Sequence, residues 1–167
     1  LFGSKVAFLP LGGSGKDWKQ EGCAAYLQMV SRLRTAGEMA KQEGITIGIR
    51  TGMGAKFDKK LLKKVGSSQI KVYYNFQDAA DHHRDICKEL RKLGAQRIVQ
   101  IHASNTDSVN LQEDPEINLP KIRKTLDKMK WSGWLVVERS RDVKRVRDVK
   151  YNFGRNIAYL KQVFQER

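Results

Sequence analysis

Apolar residues fall along this chain in two alternating rhythms. Short runs rich in β-branched and aromatic side chains, at 6–9, 45–49, 70–74, 97–101 and 134–137, alternate with longer stretches whose apolar residues return every three or four positions. The short runs predict strands and the longer stretches predict helices. Ala24, Leu27, Met29, Val30, Leu33, Ala36 and Ala40 place roughly 20 residues in a first helix that stops at Gly44. A second is expected over 56–65, with Phe57, Leu61, Leu62 and Val65 inward, Lys59, Lys60, Lys63 and Lys64 outward, and Gly66 as its stop. A third over 81–93 carries Ile86, Leu90 and Leu93. A fourth over 119–129 opens with Asn118 as N-cap and Pro120 at its first position, and the last, over 149–164, shows Phe153, Ile157, Leu160 and Phe164 as its stripe.

Strands apolar on both faces and separated by helices predict one α/β domain over 1–167, a parallel sheet covered by helices. Five βα units suit a doubly wound sheet, or part of a (β/α)8 barrel, which takes about 250 residues in full. In both architectures the carboxyl ends of the strands build the site. The residues just past four of the runs are Arg50, Asn75, His102 and Glu138, each about one βα unit from the next, so their side chains are expected to converge. Imidazole, carboxylate and amide oxygen make His102, Glu138 and Asn75 a candidate set for Mn²⁺, Mg²⁺ or Zn²⁺. The alternative is that His102 and Glu138 pair with each other or with Arg50. The glycine-rich Gly12-Gly13-Ser14-Gly15-Lys16 is not a phosphate loop: its leading Gly is missing and Asp17 stands where Ser or Thr meets magnesium.

Composition narrows the class. Hydrophobic residues make up 40% and charged residues 30%, enough to bury a core, which excludes global disorder. No run approaches the roughly 18 apolar residues of a membrane span, and no signal-peptide pattern is visible, so a cytoplasmic location is expected. With 32 Lys and Arg against 18 Asp and Glu, the net charge of +14 concentrates anions of any kind. Cys23 and Cys87 are too few for a disulfide framework or zinc knuckle and are expected as buried thiols. His82 and His83 are expected on the opening turn of the third helix. The basic stretch 139–150 reads as a solvated loop. Trp131 and Trp134 read as packing between helix and sheet, Trp18, after the first strand, is the candidate for stacking on a sugar, and Tyr73 and Tyr74 alternate faces, so one of them points inward.

The segments Arg97-Ile98-Val99-Gln100-Ile101-His102, Asn118-Leu119-Pro120-Lys121-Ile122 and Trp131-Ser132-Gly133-Trp134-Leu135-Val136-Val137-Glu138 resemble, in order and spacing, the sugar phosphate isomerase/epimerase family with its xylose isomerase-like TIM barrel. The resemblance implies a partial TIM barrel, with these units standing for strands four to eight and about 100 residues of the first three absent. It implies a metal held by Glu, Asp, His and Glu from successive strands, the two Glu residues also moving protons at carbon. His102 and Glu138 match that pattern. Arg50 stands at the first Glu and Asn75 at the Asp, and Ser104-Asn105 replaces a common Lys-Asp pair. Positive charge rises by two units at the first position and one at the second, which opposes a divalent ion and removes one acid/base partner.

Three readings follow. The first is an isomerase or epimerase of a sugar, polyol or sugar phosphate, with Glu138 and His102 catalytic, Arg50, Asn75, Arg139 and Trp18 binding substrate, Arg50, Arg139 or Arg141 holding any anionic group, and a weakly held divalent metal on His102, Glu138 and Asn75. The second is a non-catalytic relative that binds a sugar or anionic ligand through Arg50, His102 and Arg139 with a degenerate metal site. The third is nucleic-acid binding, prompted by the charge and by the barrel's similarity to abasic-site endonucleases, which use clusters of His and acidic residues where this chain has His82, His83 and His102 alone. Five strands leave two unpaired edges, so a homo-oligomer or a further N-terminal part is expected to cover them.

Overall fold

Each apolar run becomes a strand of one parallel sheet in the computed structural model, which describes residues 3–12, 18, 20–105 and 107–165. The strands are β1 (Val6–Pro10), β2 (Thr46–Arg50), β3 (Ile70–Asn75), β4 (Ile98–His102) and β5 (Trp134–Val136), and they lie side by side in chain order. Every neighbouring pair is parallel, as an intervening helix requires. The result is a half-barrel of five βα units, open at β1 and β5. Gly13 to Lys16 of the glycine-rich loop lie outside the described residues.

The helices are α1 (Ala24–Gln42), α2 (Ala55–Val65), α3 (Phe76–Ala80), α4 (Ile86–Leu93), α5 (Leu119–Lys128) and α6 (Val149–Phe164). Local chemistry sets their ends. Gly66 closes α2 with a φ of 74°, where its N–H donates to the Leu62 carbonyl. Asn118 caps α5 by accepting from the Lys121 N–H at 2.9 Å. Of the third helix expected over 81–93 only 86–93 forms: Asp85 accepts the Lys88 N–H at 2.9 Å and starts α4 at Ile86, while Asn75 accepts the Gln77 N–H at 2.8 Å and starts the separate short α3 before it. His82 and His83 therefore lie in the turn between them, His83 with a φ of 51°, and not on an opening helical turn. Among the described residues, no helix is long and apolar enough to cross a membrane.

The core lies between the outer face of the sheet and the helices, where Ile49, Leu61, Leu90, Leu93, Ile101 and Leu119 have no exposed surface. Cys87 joins it, whereas Cys23 is only half-buried, its Sγ accepting the Tyr26 N–H at the start of α1. Trp131 packs against the core and donates through Nε1 to the Ile98 carbonyl at 3.1 Å. Trp134 does not pack: it is 73% exposed at the edge of the sheet.

Which side chains face the inside is decided in β4. Val72 pairs with Ile98, but Tyr73 pairs with Gln100, so Val99 is one residue too many on β4. Strand residues alternate faces, and the extra residue resets that alternation. Ile101 is thereby turned into the core, while Gln100 and His102 face inward beside Tyr73 and Asn75. Room for this comes from Gly48, opposite on β2. A Cβ there would lie 2.9 Å from Val99 Cγ1 and 3.0 Å from Tyr73 Cδ2. Gly48→Ala is expected to lower stability by about 1–3 kcal/mol in chemical denaturation, because both neighbours are held by the sheet.

The loop that follows Arg50 is fastened from below. Thr51 Oγ1 donates to Asp58 Oδ1 at 2.5 Å and accepts from the Met53 N–H, Arg84 donates to the Gly52 carbonyl, and Glu89 of α4 accepts the Ala55 N–H at 2.8 Å. Asp58 is 5% exposed, and burial pushes its carboxyl from the ordinary 3.8 to about 7, the Thr51 bond opposing and the Glu89 and Asp78 carboxylates adding to the rise. A raised folded value means the native state holds a proton that the unfolded chain releases. Stability from this group is therefore full below about pH 4 and falls until about pH 7, by roughly 4 kcal/mol. Asp58→Asn is expected to remove most of that fall, so that denaturation at pH 8 finds the variant more stable than the parent while the two approach one another at pH 4.

Candidate functional site

Three strands end on a polar residue that faces inward: Arg50 on β2, Asn75 on β3 and His102 on β4, with Asn75 and His102 in register. Glu138 follows β5 by two residues and completes the row. The pleat brings these side chains to one end of the sheet because each is an even number of residues from an inward-facing neighbour below it.

His102 is the centre of the group. Its Nδ1 lies 3.3 Å from Glu138 Oε2 and 3.3 Å from Asn75 Nδ2, and its ring packs on Tyr73 with centroids 4.4 Å apart and on Phe8 at 5.2 Å. Burial pushes the imidazole below its ordinary range, and Arg50 adds to that, while the Glu138 and Asp78 carboxylates pull the other way. The lowered value favours the neutral ring, which weakens the charge pairing of the 3.3 Å contact with Glu138. The Glu138 side chain is 51% exposed.

Arg50 has a partner absent from the sequence-based candidates. Its Nε and Nη2 donate to Asp78 Oδ2 and Oδ1 at 2.9 and 2.7 Å, a bidentate pair on the first turn of α3. These bonds hold the guanidinium protonated against the desolvation of its half-buried position. Asp78 is itself fixed, because its carbonyl accepts from Arg84 Nη2 at 2.6 Å. The available signal was the spacing Asn75-Phe76-Gln77-Asp78, a capping residue followed three positions later by a carboxylate.

This donor set does not fit the metal that the resemblance implies. Asn75 Oδ1 is occupied by the Gln77 N–H at 2.8 Å, so the amide turns its N–H2 toward His102 and offers no oxygen there. Arg50 adds a cation at the neighbouring strand end. Among the described residues, no three of His, Cys, Asp and Glu come together in a way that could hold an ion, and a hard divalent cation needs about six oxygen or nitrogen ligands.

The remaining candidates fall on two sides. Arg139 and Arg141 both bind Asp107, on the loop after β4, with Arg139 Nε 3.2 Å and Arg141 Nη2 2.6 Å from its Oδ2. The Arg141 bond leads in holding the Asp107 carboxyl below the usual carboxylate range. Two guanidiniums on one carboxylate leave a surplus positive charge at the rim, with Arg139 45% exposed. Trp18, expected to stack on a sugar, instead meets the ring of Phe57 on α2 with centroids 6.0 Å apart. The aromatic surface beside His102 belongs to Tyr73 and Phe8, and Phe8 is 42% exposed toward the open interior. Of the two adjacent tyrosines, Tyr73 faces inward and Tyr74 joins the core beside Phe76.

Comparison with known proteins places this geometry. The family model described as xylose isomerase-like TIM barrel matches residues 2–163. Among solved structures, a D-psicose 3-epimerase crystallised in the presence of D-fructose superposes with a TM-score of 0.74 at 14% identity, covering 85% of this chain and 57% of that one. A xylose isomerase domain protein from Planctomyces limnophilus gives 0.72 at 15% identity, covering 96% and 61%. A family 2 AP endonuclease from Brucella melitensis gives 0.70 at 17% identity, covering 90% and 60%. The chain thus spans about three-fifths of the length of these structures. No curated protein matches its sequence. A family match over nearly the whole chain, together with five parallel strands in chain order and a polar row at their carboxyl ends, makes this chain a member of the xylose isomerase-like TIM-barrel family.

Proposed function

We propose that the inward row at the strand ends binds a sugar or polyol without a divalent metal, as a non-catalytic relative of the sugar isomerases and epimerases. The observation that carries this reading is the Arg50–Asp78 pair, which occupies the strand end where the resemblance expects the first Glu. A two-base proton transfer at carbon needs carboxylates on both sides of the substrate, and among the described residues of the row at the strand ends Glu138 is the one carboxylate not paired with a guanidinium. What remains suits hydroxyl recognition: Glu138 accepts, Asn75 and Arg50 donate, and Phe8 and Tyr73 offer apolar surface to the C–H face of a ring. The surplus charge on Arg139 and Arg141 favours a ligand that carries a phosphate or carboxylate. The epimerase among the similar structures was crystallised in the presence of D-fructose, which makes D-fructose and D-fructose 6-phosphate the probes to use. Calorimetry is expected to give tighter binding of the phosphate ester, weakened about tenfold or more by Arg139→Ala together with Arg141→Ala. Epimerisation of either sugar would overturn the non-catalytic reading, and a salt-dependent shift of duplex DNA with no sugar binding would replace it by the nucleic-acid one.

The metal part has its own test. Mn²⁺ is expected to bind the parent at millimolar concentration or weaker, and far more tightly once Arg50→Glu and Asn75→Asp return negative charge to the two strand ends. Tight binding by the parent, lost in His102→Ala, would restore the isomerase reading.

The edges of the half-barrel support a partner. Beside β5, a groove of about 730 Å³ runs between α5 and α6, lined by Leu126, Trp131, Trp134, Phe153, Ile157 and Phe164. At the other edge Phe8 and Leu9 are exposed. An unpaired strand beside an apolar groove recruits another strand and helix. Sedimentation at micromolar concentration is expected to show self-association of the isolated chain, and a stable monomer would remove this part of the reading.

A further inference from the structure

Ser140 stands two residues beyond Glu138 and has no exposed surface. Its φ is 71°, in the left-handed region that a serine seldom occupies unless its surroundings over-determine it. Three bonds do so. Its Oγ accepts the Asn105 N–H at 2.8 Å, and its carbonyl accepts from Asn156 Nδ2 at 2.6 Å and from Asn110 Nδ2 at 3.1 Å. Asn105 is the third residue after His102, and Asn156 lies on α6, where it also donates to the Arg139 carbonyl at 3.4 Å. The same web continues through Asn152, whose Oδ1 accepts from Asn110 Nδ2 and from the Asp142 N–H. One buried turn thus joins the loop that leaves His102, the loop that leaves Glu138, and the last helix.

We infer that Ser140 is the positioning residue of the site: its turn aims the chain so that Glu138 meets Nδ1 of His102. This rests on the reading of His102 and Glu138 as the polar centre, and it needs no ligand. Glu138 is half exposed and lies beyond the last hydrogen-bonded residue of β5, so the sheet does not fix its direction. The backbone two residues on is fixed instead. Such aim matters because His102 Nδ1 has two competing neighbours at 3.3 Å. Glu138 Oε2 needs a proton on Nδ1, whereas Asn75 Nδ2 needs a lone pair there. Asn75 is buried and its own oxygen is held by the Gln77 N–H. The position of Glu138 therefore decides the tautomer: Nδ1–H when the carboxylate is in place, Nε2–H when it is not.

Ring nitrogen spectra of histidine-labelled protein at one fixed, mildly alkaline pH read the tautomer directly. The parent is expected to show His102 as Nδ1–H and Glu138→Ala as Nε2–H, assigned by loss of the signal in His102→Gln. Ser140→Ala keeps the strained φ and loses the Oγ, and it is expected to move the ring most of the way to the Glu138→Ala pattern. Ser140→Gly relieves the strain, so it folds readily and gives the same reading where the alanine variant does not. Adding Ser140→Ala to Glu138→Ala is expected to change the ring no further, since the serine acts through the glutamate. A folded Ser140 variant with a lower Tm but the parental His102 pattern would overturn the inference, as would an Nε2–H ring in the parent. Absence of sugar binding alongside the expected tautomer shift would overturn the carbohydrate reading and leave this one standing.

Discussion

The site depends on one extra residue in β4. Without the bulge at Val99, the alternation that starts with Ile98 in the core would turn Gln100 outward and then His102 with it, burying a polar pair against the helices and exposing Ile101. Burying an imidazole and an amide in an apolar layer costs several kcal/mol unless each finds a partner, and that layer offers none. The bulge removes the conflict, and Gly48 makes it sterically feasible by leaving the inner side of β2 bare where Val99 and Tyr73 approach. A backbone irregularity and an absent side chain, two strands apart, thus act together to aim His102. The helices then need only cover an outer face that is apolar throughout.

From that arrangement the electrostatics follow. Once Arg50, Asn75 and His102 share a face, a guanidinium lies near a buried imidazole, and the imidazole is easier to keep neutral than to charge. Arg50 cannot shed its proton, so its charge is met by a carboxylate, and the first turn of α3 supplies Asp78 because Asn75 starts that helix at the strand end. Asn75 has two roles in one side chain. Its oxygen nucleates the helix that delivers Asp78, and its nitrogen faces His102. The Gln77 N–H bond that starts the helix bearing Asp78 also occupies the amide oxygen, so the Arg50 pair and the loss of that oxygen as a metal ligand have a single structural origin.

Much of this was legible in the residues. Five apolar runs and the helices between them mapped onto the sheet because burial on both faces leaves a signal that turns and loops do not blur, and the end of each run marked the polar row. Boundaries shifted where side chains captured backbone: Asp85 moved the start of the third expected helix to Ile86, Asn75 started a short helix that was not expected, and the strand ends moved by one residue to include Arg50, Asn75 and His102 themselves. Other features leave no pattern. A bulge adds no characteristic residue, so Val99 looks like any strand valine. The spacing from Asn75 marks Asp78 as a carboxylate on a capped turn, but its pairing with Arg50, like that of Asp107 with Arg139 and Arg141, is geometry across βα units that spacing does not reveal. Trp18 followed the first strand as expected, yet it turned to Phe57, because an apolar ring gains more against α2 than at a polar rim.

The net charge is the feature that composition made prominent and the fold distributes unevenly. Acidic side chains concentrate after the carboxyl ends of the strands: Asp58, Asp78 and Glu89 around the loop below Arg50, Asp107 between two arginines, and Glu138 beside His102. Asp114 and Glu116 in the same half hold the Asn105 amide. Lysines instead occupy the outward faces of the helices, as Lys59, Lys60, Lys63 and Lys64 do on α2. An excess of +14 for the whole chain therefore describes its outer surface, where screening shortens its reach to about 8–10 Å at ordinary salt. At the strand ends each cation sits within a few ångströms of an acid, and what a ligand meets there is a set of directed donors and acceptors with one surplus arginine at the rim. Charge pairing at the strand ends, and not the sign of the whole molecule, sets the charge that this face presents.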